Sequence, residues 1–325
     1  ELDIKSKKTK IYSFKNKKIN DYQLLDFRSE EEWLKELESI LYKSVKSQLI
    51  SDVDVGSFLS GGTDSTIISF IASRLTNQKI NTFSIGFENK EYDESKQSKI
   101  IANILKSNHH EYILKNKDIE EKVLDVANVF SEPFADSSQI PTTLLSEFSS
   151  KKNKVVLTGD GADELFGGYN RYLFVNYFSK YIKKVPLSLR KKIKNLLQNK
   201  GRGFLILAFK IINQVLAENK QTEIESRLDK FLSMIGAQDE NELYTLLLQN
   251  NYISSNIINE TEDINIHSFN INKEWPSEFM KRDVENYLNN DILVKVDRSS
   301  MYNSLEARAP YLDQDVVNFS NILPL

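Results

Sequence analysis

Cysteine is absent from this chain of 325 residues. Its absence excludes disulfide bonds, thiolate metal sites and a cysteine nucleophile within the chain. A long apolar run is also missing, because the most apolar stretch, residues 203–209, is interrupted by Lys210 well before it reaches membrane-spanning length. We therefore expect no membrane partner, and we predict that residues 203–209 form a buried helix.

Neither sign of charge dominates the chain. Its 43 Lys and Arg residues are balanced by 46 Asp and Glu residues, which gives a formal net charge of −3. The basic patches at residues 5–18 and 190–194 are better explained as a solvated tail and a solvated helix face than as a binding surface. No nucleic-acid partner is expected. The lack of a signal peptide favours a cytoplasmic protein.

Both ends of the chain read as cut, because it begins with Glu1 rather than Met and stops at Leu325 directly after a helical segment. We expect a piece of a longer protein. Residues 1–28 are polar and lysine-rich and are predicted to be a linker remnant. A helix should begin after Ser29, since Ser29 and Glu32 fit a capping box.

Short apolar strands alternate with helical segments between residues 53 and 158. The four predicted strands lie at residues 53–59, 80–87, 109–114 and 154–158. This alternation is typical of βαβ units and predicts an α/β fold with a parallel sheet covered by helices on both faces. We predict this core over residues 29–170.

The strand signal ends near Tyr169. Heptad-like apolar spacing over residues 223–234, 241–249 and 277–289 predicts helices instead. We therefore assign residues 171–325 to a helical subdomain of the same domain, packed on the sheet.

The first chemical motif is Ser60-Gly61-Gly62-Thr63-Asp64-Ser65, which follows the first strand. Small residues let the backbone turn with its N–H groups exposed at the start of a helix, which is a geometry that binds anions. Asp64 would repel a bound phosphate unless a cation lay between them, so the motif indicates a magnesium-bridged polyphosphate. A purely structural strand-to-helix turn is the alternative for a bare Gly-Gly pair.

The second motif is the loop of residues 158–169, which follows the fourth strand and contains the acids Asp160, Asp163 and Glu164 among four glycines. Helix capping explains one such acid but not three. Carboxylates on a flexible backbone suit a hard, oxygen-ligated cation. Because both loops follow the carboxyl ends of parallel strands, we expect them to converge on one crevice.

The two loops together resemble the synthetase domain of glutamine-dependent asparagine synthetases and the related β-lactam synthetases. The first loop is similar to the SGGxDS pyrophosphate loop of N-type ATP pyrophosphatases and is not a Walker A loop, because no Gly-Lys-Ser/Thr follows. The resemblance implies an adenine nucleotide alpha hydrolase-like fold. The matching strings occur in family order and are residues 58–65, 84–87, 92–95, 109–112, 132–136, 158–169, 296–301 and 305–313.

The resemblance also implies roles for single residues. The residues implied in binding ATP and its pyrophosphate are Phe58, Ser60, Gly61, Gly62, Thr63, Asp64, Ser65, Ile85, Thr158 and Gly159. Asp64 and Asp163 would be ligands of Mg²⁺, and Asp160 and Glu164 are the catalytic candidates. Asp160 occupies the place of a family Glu, and Thr158 the place of a Ser.

The implied reaction is an ATP-dependent amide ligation, in which the side-chain carboxylate of aspartate is adenylated and ammonia then displaces AMP to give asparagine. Another carboxylate, such as a sugar acid of a surface polysaccharide, and a non-catalytic nucleotide-binding module stay open as alternatives. The family takes ammonia from glutamine in an N-terminal domain with a catalytic Cys, so we expect that domain to lie outside this chain. A homodimer also stays open.

The ends of the resemblance matter for activity. The family carries a transition-state lysine in a loop beyond the last matching string, and we do not assign that role to Lys295. The chain by itself is therefore expected to be inactive.

Two further patterns admit bland explanations. His109 and His110 are adjacent in a predicted strand, so they point to opposite faces of the sheet and cannot chelate one ion together. The charges at residues 297–298, Glu306 and Arg308 lie in a partly apolar context. Buried ion pairs that tie the helical part to the sheet, or substrate binding, would explain these charges equally well.

Overall fold

The computed structural model describes residues 2–3, 8–9, 29–88, 93, 95–199, 203, 224–248 and 275–324. Strands β1 (Leu2–Asp3) and β2 (Lys8–Thr9) pair antiparallel near the start of the chain. The helix expected over residues 203–209 lies outside the described residues except for Gly203.

Helix α1 (Glu30–Gln48) begins as the sequence predicts. The backbone N–H of Ser29 donates to Glu32 Oε2 over 2.8 Å, and both halves of the capping box form. The apolar stripe of the helix is buried through Ile40 and Val45. The capping box is therefore confirmed, and it fixes where α1 starts against the core.

The central sheet has five parallel strands in the order β5-β4-β3-β6-β7. The first four of its strands in chain order match the predicted ones. The strands are β3 (Val55–Phe58), β4 (Asn81–Phe87), β5 (Asn108–Leu114), β6 (Val155–Leu157) and β7 (Glu306–Arg308).

Strand β7 corrects the prediction that no strand follows Tyr169. It has three residues and two charges, so it carries no apolar or alternating signal. Its pairing partner defines it: Glu306 N donates to Lys154 O, and Thr158 N donates to Arg308 O, each over 2.8 Å. The C-terminal part of the chain thus completes the sheet beside the second glycine-rich loop.

Helices cover the sheet on both faces. On one face, α1 and α2 (Thr63–Leu75) share a buried core with Leu157 of β6. On the other face, Val156 of β6 packs with Phe83 and with Leu145 of α6 (Gln139–Ser150). The other helices of this part are α3 (Ser95–Leu105), α4 (Asn116–Val123) and α5 (Val126–Val129). Two short helices, α4 and α5, thus lie between β5 and α6.

The rest of the described chain is helical apart from β7. Over the residues that the structure describes, the helices predicted at residues 223–234 and 241–249 are confirmed, whereas the one over 277–289 changes to a π-helix at Asp283. The segments are α7 (Ala162–Phe166), α8 (Asn170–Lys180), a 3₁₀ turn (Ile182–Lys184), α9 (Leu187–Asn199), α10 (Ile224–Ile235), α11 (Glu240–Leu248), α12 (Trp275–Arg282), the π-helix (Asp283–Ile292), α13 (Leu293–Tyr302), a second 3₁₀ turn (Pro310–Leu312) and α14 (Gln314–Ser320).

This architecture confirms the predicted fold class, a parallel sheet covered by helices with a helical C-terminal part. The domain boundary at residue 170 stays a prediction. Among the helices that the structure describes, none combines the length and the apolar character that crossing a membrane requires.

Candidate active site

The first glycine-rich loop connects β3 to α2 and is held by its own hydroxyl groups. The hydroxyl oxygens of Ser60 and Ser65 lie 2.9 Å apart, and Gly62 N donates to Ser60 Oγ over 3.2 Å. Gly61 has a φ of +94°, which favours glycine. Gly62 caps α2 without a side-chain hydrogen bond. The N-terminus of α2 therefore presents backbone N–H groups to an anion.

The second glycine-rich loop connects β6 to α7 and touches the first. A Cβ atom added to Gly159 would lie only 2.9 Å from Ser65 N, so no larger residue fits between the two loops. Gly161 has a φ of +92° and packs against Leu312, which lies just beyond β7. The two loops meet at the carboxyl edge of the sheet, as the strand ends predict.

A cavity of about 940 Å³ opens where the loops meet. Of the residues implied in ATP binding, Mg²⁺ binding and catalysis, only Gly61 and Thr63 are missing from its lining. Those that line it are Phe58, Ser60, Gly62, Asp64, Ser65, Ile85, Thr158, Gly159, Asp160, Asp163 and Glu164. Its size matches a small-molecule site.

A second cavity, of about 710 Å³, lies on the other side of α7. Its walls are mostly apolar and include Trp33, Phe166 and Met280. Glu164 is the one predicted site residue that borders it. The first cavity, where the acids and both loops gather, is therefore the candidate active site.

Asp64 and Asp163 are electrostatically coupled across the two loops. Burial raises the pKa of Asp64, and the negative charge of Asp163 raises it further. Burial also raises the pKa of Asp163, against the effect of the positive charge of Arg171. Two half-buried carboxylates in this relation are stabilised by a cation between them.

These two carboxylates suit Mg²⁺, which prefers oxygen ligands and usually takes only one or two carboxylates with phosphate oxygens and water. In the part of the chain that the structure describes, no group of three or more Asp, Glu or His side chains could hold a metal by itself. The donor set thus fits a magnesium ion that arrives with a polyphosphate.

The two catalytic candidates differ in how they are held. Burial raises the pKa of Asp160, and the nearby charge of Lys295 opposes this shift. Glu164 is buried and accepts a 2.5 Å hydrogen bond from the Tyr169 hydroxyl. Burial also raises the pKa of Glu164. Tyr169, which sequence reasoning did not single out, fixes the orientation of this carboxyl group.

A buried ion pair between Arg171 and Asp283 lies next to the end of the second loop. Arg171 Nη2 lies 2.7 Å from Asp283 Oδ2, and Asp283 is fully buried. The hydroxyls of Tyr172 and Tyr244 donate to the same carboxylate over 2.5 and 2.9 Å. The guanidinium also stacks 4.1 Å from the ring centroid of Tyr169.

Lys295 is a second feature that sequence reasoning left without a role. Its ammonium lies 2.7 Å from Asp136 Oδ2, and both side chains are about nine-tenths buried. A lysine between Val294 and Val296 in a helix is a signal that could have drawn attention to it. The partner, 159 residues away, could not be read from the sequence.

The two histidines have structural surroundings. The ring nitrogens of His109 lie 3.0 Å from the Thr82 hydroxyl and 3.2 Å from the Ser84 hydroxyl. His110 stacks on Phe83 with ring centroids 5.4 Å apart. Burial lowers the pKa of both histidines. The two rings therefore contact opposite faces of β4, which is the strand alternation that the sequence predicts.

The expected buried ion pairs near β7 are not buried. Glu306 pairs with Arg308 over 2.7 Å, but its side chain is 54% exposed. Arg308 also donates to the backbone oxygen of Gln48 over 2.6 Å, which links β7 to the end of α1. Residues 297–298 are exposed and do not line the cavity. The hypothesis of buried pairs is wrong because both partners lie at the sheet edge.

The parallel sheet and its two converging glycine-rich loops define an α/β protein with a candidate phosphate site at the carboxyl edge of the sheet. The family model for asparagine synthase matches residues 36–325. The chain therefore belongs to the asparagine synthase family.

Several proteins are similar to the chain. Asparagine synthetase [glutamine-hydrolyzing] 1 of Bacillus subtilis is 30% identical over 91% of this chain and 44% of its own length. Asparagine synthetase B of Escherichia coli is 34% identical over 41% of this chain and 27% of its own. An NH3-dependent NAD synthetase of Campylobacter jejuni aligns at 13% identity over 64% of this chain and 97% of its own, with a TM-score of 0.32. The chain spans less than half the length of both synthetases.

Proposed function

We propose that the chain carries the ATP-dependent, adenylating part of an amide ligase. One observation carries this proposal: in a member of the asparagine synthase family, Asp64 and Asp163 from two touching glycine-rich loops face the same cavity. In the first half-reaction a carboxylate oxygen attacks the α-phosphorus of ATP, and pyrophosphate leaves. In the second, ammonia attacks the acyl carbon, AMP leaves, and the nitrogen loses a proton.

The first loop has the groups needed to bind the leaving pyrophosphate. The N-terminus of α2 offers N–H groups, and the small residues Ser60 and Gly62 let phosphate oxygens approach the backbone. Asp64 and Asp163 would hold Mg²⁺, which would neutralise the charge that builds on the leaving oxygens. Phe58 and Ile85 line the same cavity from neighbouring strand ends and suit the adenosine.

The second loop has the groups that suit the acyl transfer. Asp160 lines the cavity, and its raised pKa makes it a plausible partner for a nitrogen that must lose a proton. Glu164, held by Tyr169, lies one turn further. Apolar side chains from Phe87, Pro141 and Ile292 help to exclude water, which would hydrolyse an acyl-adenylate.

Aspartate is our first choice of acceptor, and glutamine our choice of nitrogen donor, because both curated relatives named above are glutamine-hydrolyzing asparagine synthetases. A glutaminase domain in the full-length protein would supply the ammonia. A carboxylate on a sugar is the main competing acceptor.

The test is pyrophosphate release from ATP by the full-length protein, with Mg²⁺, ammonium chloride and either aspartate or a panel of carboxylates including sugar acids. We expect release that depends on one carboxylate and equals the amount of amide formed. If pyrophosphate release depends only on a sugar acid, the sugar acid rather than aspartate is the acceptor. ATP binding without release above background for any carboxylate would instead support a non-catalytic module.

A further inference from the structure

A turn of residues 136–138 forms part of the cavity wall beside the two loops. It lies directly before α6, and Ser137 and Ser138 both line the cavity. Asp136 Oδ1 accepts hydrogen bonds from the backbone N–H and the hydroxyl of Ser138, each over 2.6 Å. The shape of this wall therefore depends on the position of the Asp136 carboxylate.

Lys295 holds that carboxylate from the far side. Its ammonium, on α13, donates to Asp136 Oδ2 over 2.7 Å and to Ser138 Oγ over 2.8 Å. Although burial opposes it, hydrogen bonds from Lys295 and Ser138 hold the pKa of Asp136 below its usual value. A buried ammonium with two such partners is a fixed point, because each hydrogen bond to a charged group is strong and directional.

Asp291 completes the group at the end of the π-helix. Burial, followed by the proximity of the Asp136 carboxylate, raises the pKa of Asp291 to about 6. The next residue, Ile292, lines the cavity. The Lys295–Asp136 pair thus joins α13 to the turn of residues 136–138, the serine turn, at one edge of the cavity. Asp291 brings the end of the π-helix next to this pair.

The cavity also needs a positive charge that its own lining does not supply. Among the described residues that line it, there are four acids and no Lys or Arg. Lys295 lies just behind this lining, and its charge reaches Asp160. The first loop, by contrast, is held by its own hydroxyl groups, so nothing in its geometry depends on Lys295.

We infer that Lys295 is a positioning residue for the acceptor side of the cavity, where it holds Ser137 and Ser138 towards the substrate carboxylate and offsets the negative charge around it. The inference rests on the proposed function. It predicts a selective defect: acceptor binding depends on Lys295, whereas ATP binding at the first loop does not.

The kinetic test is Lys295→Met in the full-length protein, with ammonium chloride as nitrogen source and pyrophosphate release as readout. We expect the KM for the acceptor carboxylate to rise about tenfold, because Ser137 and Ser138 lose their fixed position and the cavity loses a nearby positive charge. The KM for ATP should stay within about twofold, since uniform binding of ATP is not touched. Lys295→Arg keeps the charge and should recover most of the acceptor affinity.

Lys122→Met is the matched control. Lys122 is also largely buried and pairs with Glu147 over 2.8 Å, but it does not line the cavity or contact the turn. It should change neither KM. Equal rises of both KM values in Lys295→Met, or the same acceptor defect in Lys122→Met, would overturn the inference. Thermal unfolding checks that each variant is folded, and Lys295→Gln replaces the Met variant if it is not.

Hydrogen exchange tests the positioning role without activity. The peptide covering residues 134–140 should exchange faster in Lys295→Met than in the wild type, Lys295→Arg or Lys122→Met, because the Ser138 amide depends on a fixed Asp136. Unchanged exchange would overturn the role. If the wild type releases no pyrophosphate with any carboxylate, the proposed function fails by itself, and the exchange result still decides whether Lys295 holds the turn.

Discussion

The two glycine-rich loops of the candidate site are built in different ways. The first, between β3 and α2, is organised within six residues by the hydroxyls of Ser60 and Ser65 and by a glycine at positive φ. The second, between β6 and α7, depends on residues far away in the sequence: Leu312 packs on Gly161, and Arg171 links it to Asp283. One loop carries its own structure, whereas the other takes its structure from the helical part.

This difference in construction suggests that the two loops have different roles. A locally built loop keeps a constant shape, which suits the pyrophosphate that we propose as its ligand. A loop held by distant helices can differ between relatives through changes in those helices, which suits the choice of acceptor. The comparison predicts that damage to the helical part disturbs the second loop first.

The largest effect should come from Asp283→Asn. The change leaves the Arg171 guanidinium without its buried counter-charge, and breaking such a pair costs about 3–5 kcal/mol of unfolding free energy. Urea unfolding measures the loss. Tyr172→Phe is the matched control, because it removes only one hydrogen bond to the same carboxylate and should cost about 1 kcal/mol. Equal losses in both variants would mean that the ion pair does not hold the second loop.

Features that depend on neighbouring residues could be predicted from the sequence, whereas features that depend on distant residues could not. The four strands with apolar signals and the capping box at Ser29 follow from patterns within about ten residues, and the structure has all of them. The meeting of the two loops follows from their places at the carboxyl ends of parallel strands, and the structure has it too. Strand β7 has no such pattern, because only its neighbour β6 makes it a strand. The Arg171–Asp283 and Asp136–Lys295 pairs span 112 and 159 residues, so one sequence read by itself carries no signal for them.

Asp64→Asn should stop turnover while leaving the fold intact. The change would remove a ligand of the Mg²⁺ that neutralises the leaving group, and loss of such electrostatic stabilisation costs about 10²–10³ in rate. Carboxylate-dependent pyrophosphate release should fall by this factor. Because burial and Asp163 raise the pKa of Asp64, its charge opposes folding, and the unfolding midpoint should not fall. Asp163→Asn should also lower pyrophosphate release without lowering the unfolding midpoint.

The control for these two variants is Asp118→Asn. Asp118 caps α4 through the backbone N–H of Lys115 and lies outside the cavity lining. It should keep wild-type release. Retention of more than about a tenth of the activity in Asp64→Asn would be incompatible with the proposed metal site, since such losses are normally a hundredfold or more.

Gly161→Ala in the second loop and Gly62→Ala in the first compare how much each loop depends on a glycine for stability. Gly161 has a φ of +92° and packs against Leu312, so a methyl group there is both strained and crowded, which costs about 1–3 kcal/mol. Gly62→Ala in the first loop is the counterpart, because Gly62 has a φ of −71° and its added Cβ would meet only Ser60 Oγ, at 3.4 Å. Gly62→Ala should therefore lose activity but not stability. Equal destabilisation in urea would remove the structural contrast between the loops.

The smallest expected effect is a pH dependence at Asp291. Its pKa in the folded chain is about 6, above the ordinary value of 3.8, so between these values the folded chain holds a proton that the unfolded chain has lost. Folding is therefore favoured at the acid end of this window, and the contribution of Asp291 to stability is lost as the pH rises through about 6. Asp291→Asn removes this dependence. The difference in unfolding midpoint between the variant and the wild type should therefore be about 2 °C larger at pH 7.5 than at pH 5.

The reference for that measurement is the difference between the variant and the wild type at each pH, which cancels the other titrating groups. Asp118→Asn is the control, because the backbone hydrogen bond from Lys115 lowers the pKa of Asp118, and it should give a difference that does not change between pH 5 and pH 7.5. A flat difference for Asp291→Asn as well would mean that Asp291 is ionised next to Asp136 at both pH values. In that case Lys295 would balance the negative charges of both Asp136 and Asp291. Electrostatic attraction would then hold the serine turn in addition to the hydrogen bonds of Lys295.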